Sequence, residues 1–266
     1  MYINMFGGIG SNHQKGADWG ENLLNTVASN TIRHLFTRSE AVNVQVCCQP
    51  SSKLLQGSID SFKMSGSGLV IRRDFRTEEM SFETDAVSLD FSSVLQGKIS
   101  LKQPTQAIAL VKLSEADINQ AFQAELVRKR LENLSIPALD NLSEGKPISF
   151  TDVQLELLPA NQLKVFAKAN LPQGSIPLSF SCTLAILKRR RIQFNNIRFE
   201  PVGIDPELQS ISETLTYSLG EVLNEMVDLD RFDLDGVKIR LNRLETEGKY
   251  LLFSGYAEIE YFPRVG

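Results

Sequence analysis

Between positions 237 and 262 apolar and polar residues alternate along two arms joined by Glu247 and Gly248, and this period of two predicts an amphipathic β-hairpin. Val237, Ile239 and Leu241 face one way in the first arm, against Lys238, Arg240 and Asn242. In the second arm Leu251, Phe253, Ala257, Ile259 and Tyr261 share one face, and Ser254, Glu258 and Glu260 the other. Gly248 is free to take the positive φ that such a turn requires. The same alternation marks strands at Val42, Val44 and Val46, and over 57–64, 80–91, 107–113, 153–157, 163–167, 178–186 and 192–194.

Three stretches switch to helical spacing. Trp19, Leu23, Leu24, Val27, Ile32, Leu35 and Phe36 form a stripe on a helix that opens at Asp18, with Glu21 completing a capping-box-like pattern. Ser114 caps a second helix, with Asp117 at its third position and Ile118, Phe122, Leu126 and Leu131 along one side. Asp205 caps a third, Pro206 occupies its first turn, and Leu208, Ile211, Leu215, Leu219, Val222, Leu223 and Met226 give it a broad apolar face ending before Asp228.

Alternating strands imply an antiparallel sheet, since a parallel one would be apolar on both faces. Its dry face must be covered, and the helices are there to cover it. The expected class is α+β, a long curved antiparallel sheet wrapped around long amphipathic helices. The loop at Pro137 and 141–147 is the best candidate for a break but too short for a long linker. One domain over 18–266, preceded by a flexible tail at 1–17, is therefore expected.

Composition narrows the function. With 42% apolar and 23% charged residues among 266, the chain is that of a soluble globular protein. A net charge of −4 argues against nucleic acid as a general partner, which demands a basic surface. No run approaches the roughly 20 apolar residues of a membrane span. Cys47, Cys48 and Cys182 are sparse, as expected of buried thiols in a reducing, cytoplasmic setting. Residues 1–10 are too short and uncharged for an export signal.

Catalytic groups are scarce. His13 lies in a Gly/Asn-rich tail and His34 on the first helix, neither beside a nucleophile motif, so no enzyme activity is expected. Gly7, Gly8 and Gly10 lack the strand and Lys-Ser/Thr of a phosphate loop. Asp228, Asp230, Asp233 and Asp235 do not fit a calcium-loop frame, and neither a metal nor a cofactor is expected. Lys188, Arg189, Arg190 and Arg191 form a dense basic run after a strand. Such a run is either a solvated hairpin tip protecting a sheet edge or a contact for anionic lipid head groups.

Three stretches together resemble the LmeA-like phospholipid-binding family, whose members are widespread in cyanobacteria and actinobacteria. They are residues 54–64 preceded by Val42, Val44, Val46 and Pro50; residues 111–119, a strand running into an acidic helix start; and 232–257, a closing hairpin like that of the cyanobacterial members. The resemblance implies a tubular lipid-binding-like fold and non-catalytic binding or transfer of phospholipid in an apolar groove between helix and sheet, peripheral to a membrane. Leu23, Val27, Leu35, Leu215, Leu219, Leu223, Leu251 and Phe253 are the expected lining of that groove, and Lys188 to Arg191 its head-group contact. The alternative is an interaction or scaffold module with a filled core and no lipid.

Overall fold

The computed structural model describes residues 17–71, 75–227 and 236–261. Residues 1–16 of the tail expected at 1–17, and the aspartate cluster within 228–235, lie outside these described residues, while Ala17 opens the first helix. In chain order the elements are α1 (Ala17–Arg33), β1 (Ala41–Cys47), α2 (Ser52–Leu55), β2 (Ser58–Ile59), β3 (Ser61–Ile71), β4 (Phe75–Thr84), β5 (Val87–Ser88) and α3 (Phe91–Leu95). Then come β6 (Thr105–Ser114), α4 (Glu115–Phe122), α5 (Glu125–Arg128), α6 (Asp140–Ser143), β7 (Ser149–Leu157) and β8 (Gln162–Leu171). The chain finishes with β9 (Gly174–Leu187), β10 (Arg191–Phe199), α7 (Gln209–Met226), β11 (Val237–Glu247) and β12 (Tyr250–Ile259).

The strands divide into a six-stranded sheet ordered β1-β3-β4-β6-β12-β11, a four-stranded sheet ordered β10-β9-β8-β7, and the small pair β2-β5. Every pairing is antiparallel, and the class is α+β. The closing hairpin passes over the whole four-stranded sheet in sequence to pair β12 with β6.

Each long helix covers its own sheet. Leu24, Val27, Ala28 and Ile32 of α1 pack with Val44, Val46, Phe62 and Met64, and Leu54 and Val94 close that core at the α2–α3 end. Leu215, Leu219 and Leu223 of α7 pack with Phe150, Leu163, Val165 and Phe180 in a second core. Leu244 and Leu251, from the hairpin of the long sheet, belong to this second core too. A bulge between Leu241 and Arg243 makes that possible, because the extra residue turns Leu244 inward. Gly255 lies under the bulge, where any Cβ would collide with the Arg240 carbonyl.

Three helices differ from the periodic pattern, and the first stops at Arg33, before His34, Leu35 and Phe36. Ser114 does cap the second one, accepting from the Asp117 amide at 3.0 Å. Its helix stops at Phe122, and Leu126 is exposed while Leu131 is buried. The chain leaves the helical path because Leu131 must enter the second core, where its carbonyl accepts from the Phe150 amide. The third helix begins at Gln209, not at Pro206. Asp205 caps the turn before it, accepting from the Glu207 amide at 3.0 Å.

All four outer strands of the two large sheets carry an asparagine side chain on an open backbone group. Asn25 of α1 accepts from the Val46 amide on β1 at 2.8 Å. Asn119 of α4 both accepts from and donates to Leu155 on β7, at 2.8 and 3.0 Å. Asn224 of α7 does the same to Phe194 on β10. Asn161, in the β7–β8 turn, accepts from the Thr246 amide and donates to the Leu244 carbonyl of β11. A carboxamide offers one donor and one acceptor, which is what an unpaired strand edge lacks. Asn119 and Asn161 also tie the two sheets to one another.

Candidate functional site

Strand β6 is apolar on both faces. Its inward residues are small, with Ala107 and Ala109 buried beside Ala257. Its outward residues are large, and Ile108 and Leu110 stand 54% and 53% exposed on a face that no described helix covers. Register builds the rest of the surface. One cross-strand row on that face runs Asn43, Ser65, Ser81, Leu110, Ser254 and Arg243, from β1 to β11. Most of it is short hydroxyl and amide side chains.

The rows on either side are taller. One carries Glu79, Lys112 and Leu252, the other Lys63, Glu83, Ile108 and Tyr256. Ion pairs hold these walls upright: Lys112 to Glu79 at 2.9 Å, Lys63 to Glu83 at 2.6 Å, and Arg243 to Glu245 at 2.7 Å. Lys112 also lies 4.4 Å over the Tyr250 ring, and the Glu79 carboxylate holds its ammonium above the usual range. The result is a trough of about 530 Å³ crossing the sheet, floored by the Asn43 to Arg243 row and walled on one side by Glu79, Lys112 and Leu252. A second depression of about 190 Å³ shares Asn43, Ser65, Ser81 and Leu110 with it. Six strands at roughly 4.8 Å spacing make the trough about 24 Å long.

The residues expected to line a helix–sheet groove fall into two groups. Val27 is buried, and Leu23 and Leu35 half-buried, in the core beneath α1. Leu215, Leu219, Leu223 and Leu251 are buried together in the core beneath α7. Phe253 is half-buried and borders the trough. Between α1 and its sheet there remains a void of about 20 Å³ lined by Leu24, Ala28, Val46, Phe62 and Ile259 among others. That is room for about one water molecule, not for an acyl chain.

Lys188 to Arg191 do occupy the β9–β10 turn, where Lys188 and Arg189 take positive φ of 50° and 59°. Arg189 is engaged. It donates to the Leu241 carbonyl at 3.4 Å and to the Asn242 side-chain oxygen, and its own carbonyl accepts from the Leu241 amide at 2.7 Å. Its guanidinium lies 5.9 Å from the Tyr256 ring. Arg190 and Arg191 also have partners within the protein, and Lys188 is exposed. Arg189 thus joins this turn of one sheet to the bulge of the other.

Other reactive groups are occupied or quiet. His34 shares a 2.6 Å hydrogen bond with the Asn30 carbonyl one turn earlier. Burial pushes the Cys182 thiol up to about 12, and Cys47, Cys48 and Cys182 form no disulfide. Among the described residues no group of three His, Cys, Asp or Glu side chains is placed to hold a metal ion. No described helix is long and apolar enough to cross a membrane.

Strict alternation along β6 predicts no apolar outer face there. The signal was present: Ala107 to Val111 reads A-I-A-L-V, apolar at five consecutive positions. A family model described as LmeA-like phospholipid-binding matches residues 16–255 of the chain. No curated protein matches it.

Proposed function

The chain belongs to the LmeA-like phospholipid-binding family, and on that premise we propose that it binds phospholipid without chemistry, laying acyl chain along the trough of the six-stranded sheet. The observation that carries the proposal is exposed Leu110 in the floor of a depression of about 530 Å³, inside the usual range of ligand sites, with exposed Ile108 beside it in the adjoining depression of about 190 Å³. The void beneath α1 holds about 20 Å³, so the open face is the better receptacle. A length of about 24 Å exceeds half the roughly 30 Å hydrocarbon core of a bilayer, the reach of one leaflet's chains.

Aliphatic contacts at Ile108, Leu110 and Leu252 remove acyl surface from water, and the serine and asparagine floor lies low enough to admit the chain. The ion-paired walls present the stems of Lys63 and Lys112 to it and keep their charges at the rim. Ligand exchange then needs no opening of either core, which suits transfer as well as storage. The protein acts peripherally to a membrane in this reading.

Delipidated protein should take up a fluorescent short-chain phospholipid, and Ile108→Ser with Leu110→Ser should lose that uptake while folding normally. Uptake unchanged in the double variant would move the ligand elsewhere. No uptake by the parent, with no lipid co-purifying, would favour a scaffold with a filled core.

A further inference from the structure

Far from the four-stranded sheet, the long sheet ends in two short helices whose sequences share a pattern. In α2 Leu54 is buried and Leu55 is 69% exposed; in α3 Val94 is buried and Leu95 is 62% exposed. Each helix roots one aliphatic residue in the core and sends the next into water. The helices are tied together: β2 pairs with β5, the Leu89 amide donates to the Gly57 carbonyl at 2.7 Å, and Lys102 donates to the Gln56 carbonyl at 3.3 Å. Solitary exposed leucines are ordinary, but two of the most exposed apolar side chains at one braced end are a surface.

Charge says what that surface meets. Residues 50–57 and 91–102 contain Lys53, Lys98 and Lys102 and no carboxylate, in a chain of net charge −4. Lys53 pairs with Asp60 at 2.5 Å, Asp90 caps α3 and lies within the field of Lys102, and Lys98 follows Leu95 by three residues. Exposed aliphatics with lysines on the same two segments suit the interface of an anionic bilayer, where the first enter the acyl boundary and the second stay among head groups. We propose that the α2–α3 end docks on anionic phospholipid membranes, with Leu55 and Leu95 as the inserting residues. At the β9–β10 turn, by contrast, Arg189 is engaged with β11 and the described residues show no exposed aliphatic pair. This inference rests on the lipid-binding reading but assigns a different surface: the trough holds the ligand and this end holds the membrane.

Co-sedimentation with vesicles of phosphatidylcholine alone, and of phosphatidylcholine and phosphatidylglycerol in equal parts, tests it. The parent should prefer the mixed vesicles, and Leu55→Ser with Leu95→Ser should weaken that association by about tenfold or more while leaving short-chain phospholipid uptake and the melting temperature intact. Lys98→Glu should weaken it less, and only at low salt. The trough variant, Ile108→Ser with Leu110→Ser, should sediment as the parent does but take up no lipid. A Leu95→Trp reporter, in a chain with Trp19→Phe, should shift its emission to the blue on mixed vesicles. Sedimentation of the double leucine variant equal to the parent's, or a reporter that stays in water, overturns the proposal. Loss of uptake in the parent with sedimentation retained would instead sink the trough and leave the docking end standing.

Discussion

The two large sheets are built alike on one side and differ on the other. Each has a dry face covered by a long helix, α1 for one and α7 for the other. On the bare face of the four-stranded sheet β8 presents Gln162, Lys164, Phe166, Lys168 and Asn170, one aromatic ring among polar side chains. On the bare face of the six-stranded sheet β6 presents Ile108 and Leu110 beside serines. The inner faces explain why the chain folds, and the outer ones where it can hold something apolar. Alternation identifies the first; a departure from it identifies the second.

The comparison can be broken most forcefully from within. Phe180, fully buried beneath α7, should cost about 3–5 kcal/mol when changed to Ala. Because Leu244 and Leu251 tie the hairpin of the long sheet into that core, we expect urea denaturation followed by circular dichroism to give one transition that moves as a whole. Two transitions, with only one shifted, would make the sheets independent bodies.

A smaller effect is expected where the sheets meet. Asn161 sits at φ 59°, so glycine removes its carboxamide without backbone strain. Asn161→Gly leaves the Thr246 amide and Leu244 carbonyl without that partner and should cost about 1–3 kcal/mol by the same measurement. A change near zero would mean that water replaces the amide at no loss.

Cys182 separates the interiors from the open face by pH. Its thiol stays neutral in the fold up to about 12, whereas the ordinary value is 9.0. The raised value favours the protonated form, so its stabilisation is complete below about 9 and is lost as pH climbs towards 12. The parent should lose up to about 1.4 kcal/mol of stability per pH unit relative to Cys182→Ala across that window. Parallel pH profiles would show that the thiol meets water.

The least stability is at stake where function is proposed. Ile108→Ser with Leu110→Ser should shift unfolding by no more than about 0.5 kcal/mol per site, since both side chains are already more than half exposed. A large loss would mean that they serve the fold and not a ligand.

What the sequence disclosed follows from range. The closing hairpin, the Ser114 cap, the cation-rich turn and the antiparallel class are local events written in neighbouring residues. The trough is not local: Asn43, Ser65, Ser81, Leu110 and Ser254 come into one row only after five strands distant in the chain choose partners. The same holds for the two cores. Leu23 and Leu219 look equivalent as helical stripes, and only topology sends them to different sheets. Arg189 shows the same limit of range, its charge being conspicuous in the sequence while its partners at Leu241 and Asn242 lie more than fifty positions away.

The asparagines on the four outer strands give the fold a chemical clock. A carboxamide can slowly hydrolyse to a carboxylate, and the site then loses its donor. At Leu155, Phe194 and Leu244 an aged side chain would set oxygen against the backbone carbonyl it once served. Each such event uncovers a stretch of strand that a neighbouring molecule can read as its own, so old protein should associate edge to edge before it unfolds.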